Sequence, residues 1–559
     1  MKANTFPICV TLLVCLTILA LMALYVGPCL AGPEDSVGYW GGLGGSDEPD
    51  GISGRIIQNN DYDIAVGPGG TPHVVWASPL QAGPTATPSS IIKYAFWDGD
   101  SWRGLPEVDG PTEFGIGENC SITVLPSGWP VVLFCVFDAA TSKSVLQVFY
   151  WGGSGWQTIF SPELNRVETY AFRVAVDGLS RVHILYMKLI RDVDRKTHRY
   201  VYYSIFDGES LQGLAGSDEG EGLSGDCSYM SDNTRFDFAL DNRAFPHVVW
   251  QSDAEQVFYK FWDGEAWQQV DGQEIFPELD FADQPRIAVD NEGHPHITVI
   301  GGNVTGPDIY TKHMYYATWD GSSWKTTHTS GTLPFRDMTT DSAGNLNVCW
   351  THSPQNSIYF RRWDGAAFRT LAWGDVGWGV SPPPPFLGPD ANQWYEVPRI
   401  AVGPTNEIYV AYMAVTNFPV EGAPLWEVYG SCRVSKFVHE PAPYPLLVLE
   451  TDRWLYKPDA TTVTIMLGAD NQQDQWVDTK LFLAAYRKED DELFQFSLPL
   501  SLPPHFYFPL SAVFELPIGE AELLRPSSSS YLLGAQFLDA RTGEALGRLQ
   551  WKDITIQHR

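Results

Sequence analysis

Cysteine and positive charge are both scarce in this chain, and each scarcity excludes a class of function. Eight cysteines occur in 559 residues, and three of them, Cys9, Cys15 and Cys29, fall at the N-terminus. The other five form no CxxC pair and no His/Cys cluster, which argues against a zinc site. Cys120 and Cys135 flank the turn Pro126-Ser-Gly-Trp129 almost symmetrically, so the spacing permits a cross-strand disulfide or two separate buried thiols. Lys and Arg number 36 against 67 Asp and Glu, a net charge of -31. A surface of that sign repels nucleic acid and anionic lipid, while it tolerates or recruits cations.

What is present begins with a leader. Met1-Lys2 opens onto an apolar stretch from Ile8 to Val26, followed by Gly27-Pro-Cys-Leu-Ala31 and an acidic segment. This is the layout of a secretory signal over residues 1–31. The apolar stretch is also long enough for an uncleaved membrane anchor. Cys29 suggests a lipoprotein, against which Pro28 stands where such signals want a small residue. The mature protein is therefore expected to be secreted, at the cell surface or in the periplasm, with no membrane contact beyond that anchor.

Beyond the leader the sequence repeats. The clearest copy runs Pro285-Arg-Ile-Ala-Val-Asp290, a turn at Asn291-Glu-Gly293, His294-Pro-His-Ile-Thr-Val299 and Met314 to Trp324. Three β-rich runs, two turn signals and a fourth run describe a four-stranded antiparallel meander. First-and-second-strand signatures recur at Ile64, Ile122, Val174, Phe238, Ile287, Met338 and Ile400, seven in all. Asp-Gly or Gly-Gly after an aromatic, as in Trp97-Asp-Gly99 and Trp262-Asp-Gly264, marks the hairpin between third and fourth strands. Tandem four-stranded units stack radially, so the chain is expected to be all-β, a seven-bladed β-propeller over 37–440. The seventh repeat lacks its outer hairpin. Gly42 to Gly54 closely resembles Gly213 to Gly225, which follows the third strand of repeat three, so residues near Val37 to Leu43 are predicted to complete blade seven. Residues 441–445 form a proline-rich linker, and alternating strands over 446–559 predict a β-sandwich domain.

Candidate ligand groups gather at the first strands. Arg173, Arg235, Arg286, Arg336 and Arg399 lie at or near their starts, with Asp63, Glu118, Asp237, Asp283 and Glu396 nearby. These arginines are read either as ligand donors or as Arg–Asp bonds bracing neighbouring blades. His73, His183, His247 and His296 recur at one strand position and are read as structural. The longest unrepeated feature runs from Trp373 to Phe386 and on through Asn392 to Glu396, an insertion expected to lie over the ligand face. Trp378, Trp394 and Tyr395 there suit stacking on sugar rings, with Asp375 and Glu396 taking hydroxyls; the alternative is a proline-stiffened strap. The acidic loops Ser46 to Asp50 and Ser217 to Glu221 suit calcium by composition, though they lack the ligand spacing of a known calcium loop, and no other cofactor is implied.

Thr318-Trp-Asp-Gly-Ser-Ser-Trp324 resembles an Asp-box shortened by one residue, and with the first-strand arginines it makes residues 60–440 similar to the BNR-repeat, sialidase-like propellers. The resemblance implies a carbohydrate-related site and a carboxylate-binding role for the arginines. No motif places the tyrosine–glutamate nucleophile pair or the acid–base aspartate of sialidases, so no catalytic residue is carried over. The terminal Phe537 to Gly547 resembles the last hairpin of immunoglobulin-like modules on secreted bacterial enzymes and adhesins, which implies a spacer or attachment role. The leading expectation is a non-catalytic binding module for extracellular glycans or cell-surface proteins. A glycoside hydrolase or polysaccharide lyase, and a purely structural surface protein, are the alternatives.

Overall fold

The computed structural model describes residues 38–557 apart from short segments, of which 81–89, 160–168, 228–234, 330–336, 383–391 and 518–528 are the longest. The leader lies outside the described residues. Among them every regular element is a strand, and no helix is long and apolar enough to cross a membrane. The chain divides into two compact units, one of Gly41–Arg369 with Ala391–Phe437, the other of Val438–Arg559 with Met1–Trp40 and Thr370–Asp390.

The first unit is a β-propeller. Among its described residues each of the seven signatures opens an antiparallel run of strands: the third to sixth open separate four-stranded sheets, the first two are joined into one nine-stranded sheet by pairing of Ser90–Trp97 with Thr112–Val124, and the last opens a five-stranded sheet. The first strands are Tyr62–Val66, Thr112–Val124, Thr169–Val176, Phe236–Leu240, Phe281–Val289, Asp337–Thr340 and Asn392–Val402, numbered here as sheets 1 to 7. Each first strand neighbours the next, and that of sheet 7 neighbours that of sheet 1, so the series closes. The second strands read as unbroken apolar runs because both of their faces are covered; Pro246–Gln251 is buried at every position. Consecutive sheets share cores, as Leu185, Val201 and Tyr203 of sheet 3 do with Phe236, Val248 and Trp250 of sheet 4.

Polar staples repeat with the sheets. The recurring histidines are buried and bonded to third-strand tyrosines: His73 Nδ1 to Tyr94 at 2.8 Å, His247 Nδ1 to Tyr259 at 2.7 Å, His296 Nδ1 to Tyr316 at 2.6 Å, and His183 to Tyr203. Each tyrosine then meets edge-on the fourth-strand aromatic of the next sheet, Tyr94 with Trp156, Tyr203 with Trp267 and Tyr259 with Trp324. Turn aspartates complete the pattern: Asp241 Oδ1 accepts from Arg243 and Phe245 N–H, both at 2.8 Å. These groups are spent on architecture.

Sheet 7 takes its fourth strand, Tyr39–Gly42, from the N-terminal side of sheet 1. The two similar loops form matching hydrogen bonds. Ser46 and Asp47 side chains accept from Leu43 and Gly42 N–H at 2.9 Å, and Ser217 and Asp218 do so from Leu214 and Gly213 at 2.9 Å. Ile52 N–H donates to Cys432 O at 2.9 Å where Leu223 N–H donates to Val201 O at 2.8 Å. These loops, read from composition as suited to calcium, use Ser46, Asp47, Ser217 and Asp218 to cap their own backbone. Among the described residues no group of three or more ligating side chains is gathered for a metal.

The second unit contains a three-stranded sheet, Leu446–Thr451, Thr462–Asn471 and Phe506–Pro517, and a five-stranded sheet that includes Val477–Arg487, Ser529–Asp539 and Ala545–Ile556. Leu447, Leu449, Val463, Ile465 and Leu467 from one sheet and Leu481, Leu483, Leu533, Ala535 and Phe537 from the other form a single core. Their spacing of two is that of strands buried on one face, so the unit is a β-sandwich.

Candidate functional site

The first strands of the propeller surround a cavity of about 550 Å³. The strand registers make the residues that face one another unambiguous. Asp63, Ser121, Arg173, Asp237, Arg286, Asp337 and Arg399 pair respectively with Val75, Leu133, Leu185, Val249, Thr298, Cys349 and Ala411, the fourth residue of each second-strand signature. One equivalent position per sheet therefore carries, in order round the series, Asp, Ser, Arg, Asp, Arg, Asp, Arg. An odd number of positions cannot alternate in sign without a break, and Ser121 is the break.

The alternation has a backbone counterpart. The registers slip just before Ser121, Arg173, Arg286 and Arg399, between Glu118/Ser121, Thr169/Phe172, Asp283/Arg286 and Glu396/Arg399. The three aspartate-bearing sheets show no such bulge. At three bulges the residue two before the ring position is left-handed: Asn119 (φ 53), Gln284 (φ 51) and Val397 (φ 49). Asn tolerates this region, whereas the β-branched Val397 is strained there. Each aspartate accepts a backbone N–H from the bulged sheet that follows: Ile122 to Asp63 at 3.2 Å, Ile287 to Asp237 at 3.2 Å and Ile400 to Asp337 at 2.9 Å. At these positions the first strands have a partner on one edge only, so the carboxylates satisfy donors on the open edge.

Electrostatics follow from burial. Arg173 Nε lies 3.4 Å from Asp237 Oδ1, and loss of solvent pulls the Arg173 pKa down to about 10. Arg286 is 2% exposed, donates to Pro285 O at 2.8 Å and has Asp237 for an electrostatic neighbour. Arg399 makes no hydrogen bond or ion pair with a described residue. Burial opposes its charge, but Asp337 and Asp63 outweigh that and hold its pKa above the usual arginine value. Desolvation raises the carboxyls of Asp63 and Asp237 despite their arginine neighbours. Asp61, one turn of the pleat from Asp63, is pushed up to about 6, chiefly by desolvation, although its Oδ1 accepts from Cys120 N–H at 2.7 Å. The Cys120 thiol donates to Asp61 O at 3.4 Å, and neither Cys120 nor Cys135 is in a disulfide. Tyr62, Phe172 and Phe238 border the cavity but are buried in the cores between sheets.

Of the residues singled out by sequence, the structure brings Arg173, Arg399, Asp63 and Asp237 to the cavity, with Arg286 on the same ring. Arg336 lies outside the described residues. Asp283 pairs with Arg235 at 3.3 Å and does not line the cavity. The stacking platform is not formed. Trp378 is 4% exposed, its Nε1 donates to Trp551 O at 3.0 Å, and its ring packs on Trp551 with centroids 5.1 Å apart. Trp373 stacks on Tyr507, and Asp375 neighbours Tyr507 electrostatically, so the first part of the insertion belongs to the sandwich unit, whereas Asn392 to Glu396 open the first strand of sheet 7. Tyr395 is fully buried, edge-on to Tyr412. Trp394 is half-buried against the core shared by sheets 7 and 1, and its Nε1 donates to Glu396 Oε1 at 2.6 Å. An aromatic whose faces are already packed offers no surface to a sugar. Sequence reasoning missed Asp61, Ser121 and Asp337. The last two were within reach, since each directly precedes the first residue of its signature, Ile122 or Met338.

No family profile matches the chain, and no curated protein is similar to it. Solved structures that it resembles are a polysaccharide lyase of the PL25 ulvan lyase family (11% identity, 73% of this chain and 96% of that one, TM-score 0.37), the Aleuria aurantia lectin (14%, 56% and 96%, 0.34) and the propeller domain of the Trilobed protease from Pyrococcus furiosus (12%, 64% and 89%, 0.36). At TM-scores this low the likenesses carry no argument, and the propeller rests on this chain's own sheets.

Proposed function

We propose that this is an exported binding module whose propeller holds an extracellular glycan in the cavity where the first strands meet. The observation that carries the reading is the lining itself. Carboxylate acceptors at Asp61, Asp63, Asp237 and Asp337 and guanidinium donors at Arg173 and Arg399 converge on one enclosed space. A saccharide presents hydroxyls that both donate and accept, and a lining of convergent acceptors and donors is what they satisfy. Binding without turnover is favoured because Asp63, Asp237 and Asp337 are each tied to the next sheet's backbone. A purely structural role predicts no concave site and is the weaker reading.

The sialidase-like kinship belongs to the proposal for the scaffold. The turns after the third strands carry Asx-type bonds, with Asp98 Oδ1 accepting from Asp100 and Ser101 N–H at 2.8 Å and Asp263 Oδ1 from Glu265 and Ala266 at 2.8 Å. Hydrolysis is the second reading, favoured by one observation: Asp61, its carboxyl pushed up to about 6, lines the same cavity as Asp63, and a pair of carboxyls can divide acid and base roles. A glycan array combined with an activity screen on the captured polymers separates the readings. Capture without new reducing ends or unsaturated products supports the binding module. Release of reducing ends that disappears in Asp61→Asn replaces it with a hydrolase, and failure to capture any glycan overturns both.

A further inference from the structure

The arginines of the cavity are not a free anion site. Each stands between ring positions occupied by Asp63, Asp237 or Asp337, except where Ser121 intervenes, and Arg173 is within ion-pair distance of Asp237. Four carboxylates line the cavity against two guanidiniums, Arg173 and Arg399, and the chain as a whole is strongly acidic. A ligand carboxylate brought here would add a further anion to a space already dominated by carboxylates, and like charges placed together are rejected. A neutral hydroxyl meets no such opposition, because it donates to the aspartates and accepts from the arginines.

Within that lining one donor differs from the rest. Arg173 is engaged by Asp237 and Phe172 O, and Arg286 is closed off by Pro285 O. Arg399 lines the cavity with no hydrogen bond or ion pair to a described residue, although Asp337 and Asp63 balance its charge. A guanidinium has five N–H donors in a planar fork, a geometry that two adjacent oxygens fit. Asp337 is in turn oriented by Ile400 N–H, the residue directly after Arg399, so donor and counter-charge are positioned by the same stretch of backbone.

We infer that the cavity selects a neutral, polyhydroxylated saccharide over an acidic one, and that Arg399 is the fork that anchors it on two neighbouring oxygens. The inference rests on the glycan-binding reading above and narrows its ligand class. It also sets this site apart from the carboxylate-binding use of arginines that the BNR-like sequence implies.

The test uses the mature chain and paired tetramers of mannose, glucose and galactose, each neutral sugar matched with its C6-oxidised uronate, titrated by calorimetry. The neutral member of a pair is expected to bind about tenfold or more tightly than its uronate. Asp337→Asn keeps an oxygen for Ile400 N–H but removes one anion, and should narrow or reverse that preference. Arg399→Lys keeps the charge that the ring needs but loses the fork; neutral-sugar affinity should fall about tenfold with an unchanged melting temperature. Preference for uronates in the unaltered protein overturns the inference and leaves the glycan reading standing. Unchanged affinity in Arg399→Lys removes Arg399 as the anchor, and no binding by any pair overturns both readings.

Discussion

Replacing Asp61 by Asn should stabilise the propeller at neutral pH and leave it unchanged in acid. Burial raises the carboxyl from its ordinary 3.8 to about 6, so ionising it in the folded chain is disfavoured by about 3 kcal/mol relative to the unfolded chain. The sign follows from proton occupancy. Between pH 3.8 and 6 the folded state retains a proton that the unfolded state has lost, so stability falls as pH rises through that window and the whole penalty persists above it. Asn carries no charge to desolvate, and its Oδ1 can still accept from Cys120 N–H, now 2.7 Å from the carboxylate. For a unit of roughly 370 residues, about 3 kcal/mol corresponds to a melting shift of about 4 °C. Calorimetric scans of both proteins between pH 4 and pH 8 should show curves that coincide at the acid end and separate by that amount at the alkaline end. Asp470 of the sandwich is also raised to about 6 by burial, which is why the comparison is with the unaltered chain and not along one pH profile. A constant difference at every pH, or a variant less stable throughout, would refute the argument.

Other perturbations test the architecture. Trp378→Ala should destabilise the sandwich unit by about 3–5 kcal/mol in denaturant titration, because it removes a buried ring and its bond to Trp551; a surface platform would show almost no change. Glu450→Gln removes the counter-charge of the Lys552 ammonium, which is 1% exposed and paired with Glu450, and should cost about 3–5 kcal/mol, whereas the double variant with Lys552→Met should recover most of it. Tyr203→Phe leaves His183 Nδ1 without its buried partner and should lower propeller stability by about 1–3 kcal/mol by chemical denaturation. Gly51→Ala and Gly222→Ala should destabilise alike: each glycine is left-handed, and an added Cβ would lie 2.2 Å from Cys432 O or 2.4 Å from Val201 O. Unequal melting shifts would break the equivalence of the two loops.

Much of the propeller was legible because its information is local. Pleat alternation, Asp-Gly hairpins and the apolar second strands are set by backbone geometry and turn chemistry within a few residues, so the signatures at Ile64 through Ile400 each mark a real pair of antiparallel strands. Even the distant closure could be read, because Gly42 to Gly54 repeats Gly213 to Gly225 and the same residues form the same hydrogen bonds. The site was only half legible. Arg173, Arg399, Asp63 and Asp237 could be named, but which of them oppose one another depends on a one-residue bulge before each arginine, and a bulge has no signature stronger than an Asn119 or a Val397 in the wrong conformation. Asp337 belongs to the ring only because its register with Cys349 places it there. The insertion shows the limit most plainly. An aromatic such as Trp378 reads equally well as a sugar platform or a core residue, and the choice is made by Trp551, 173 positions away. The sequence alone therefore determined the strands and their order, whereas the face each ring or charge turns to its neighbours was decided by long-range packing, because burial is a property of what the chain meets.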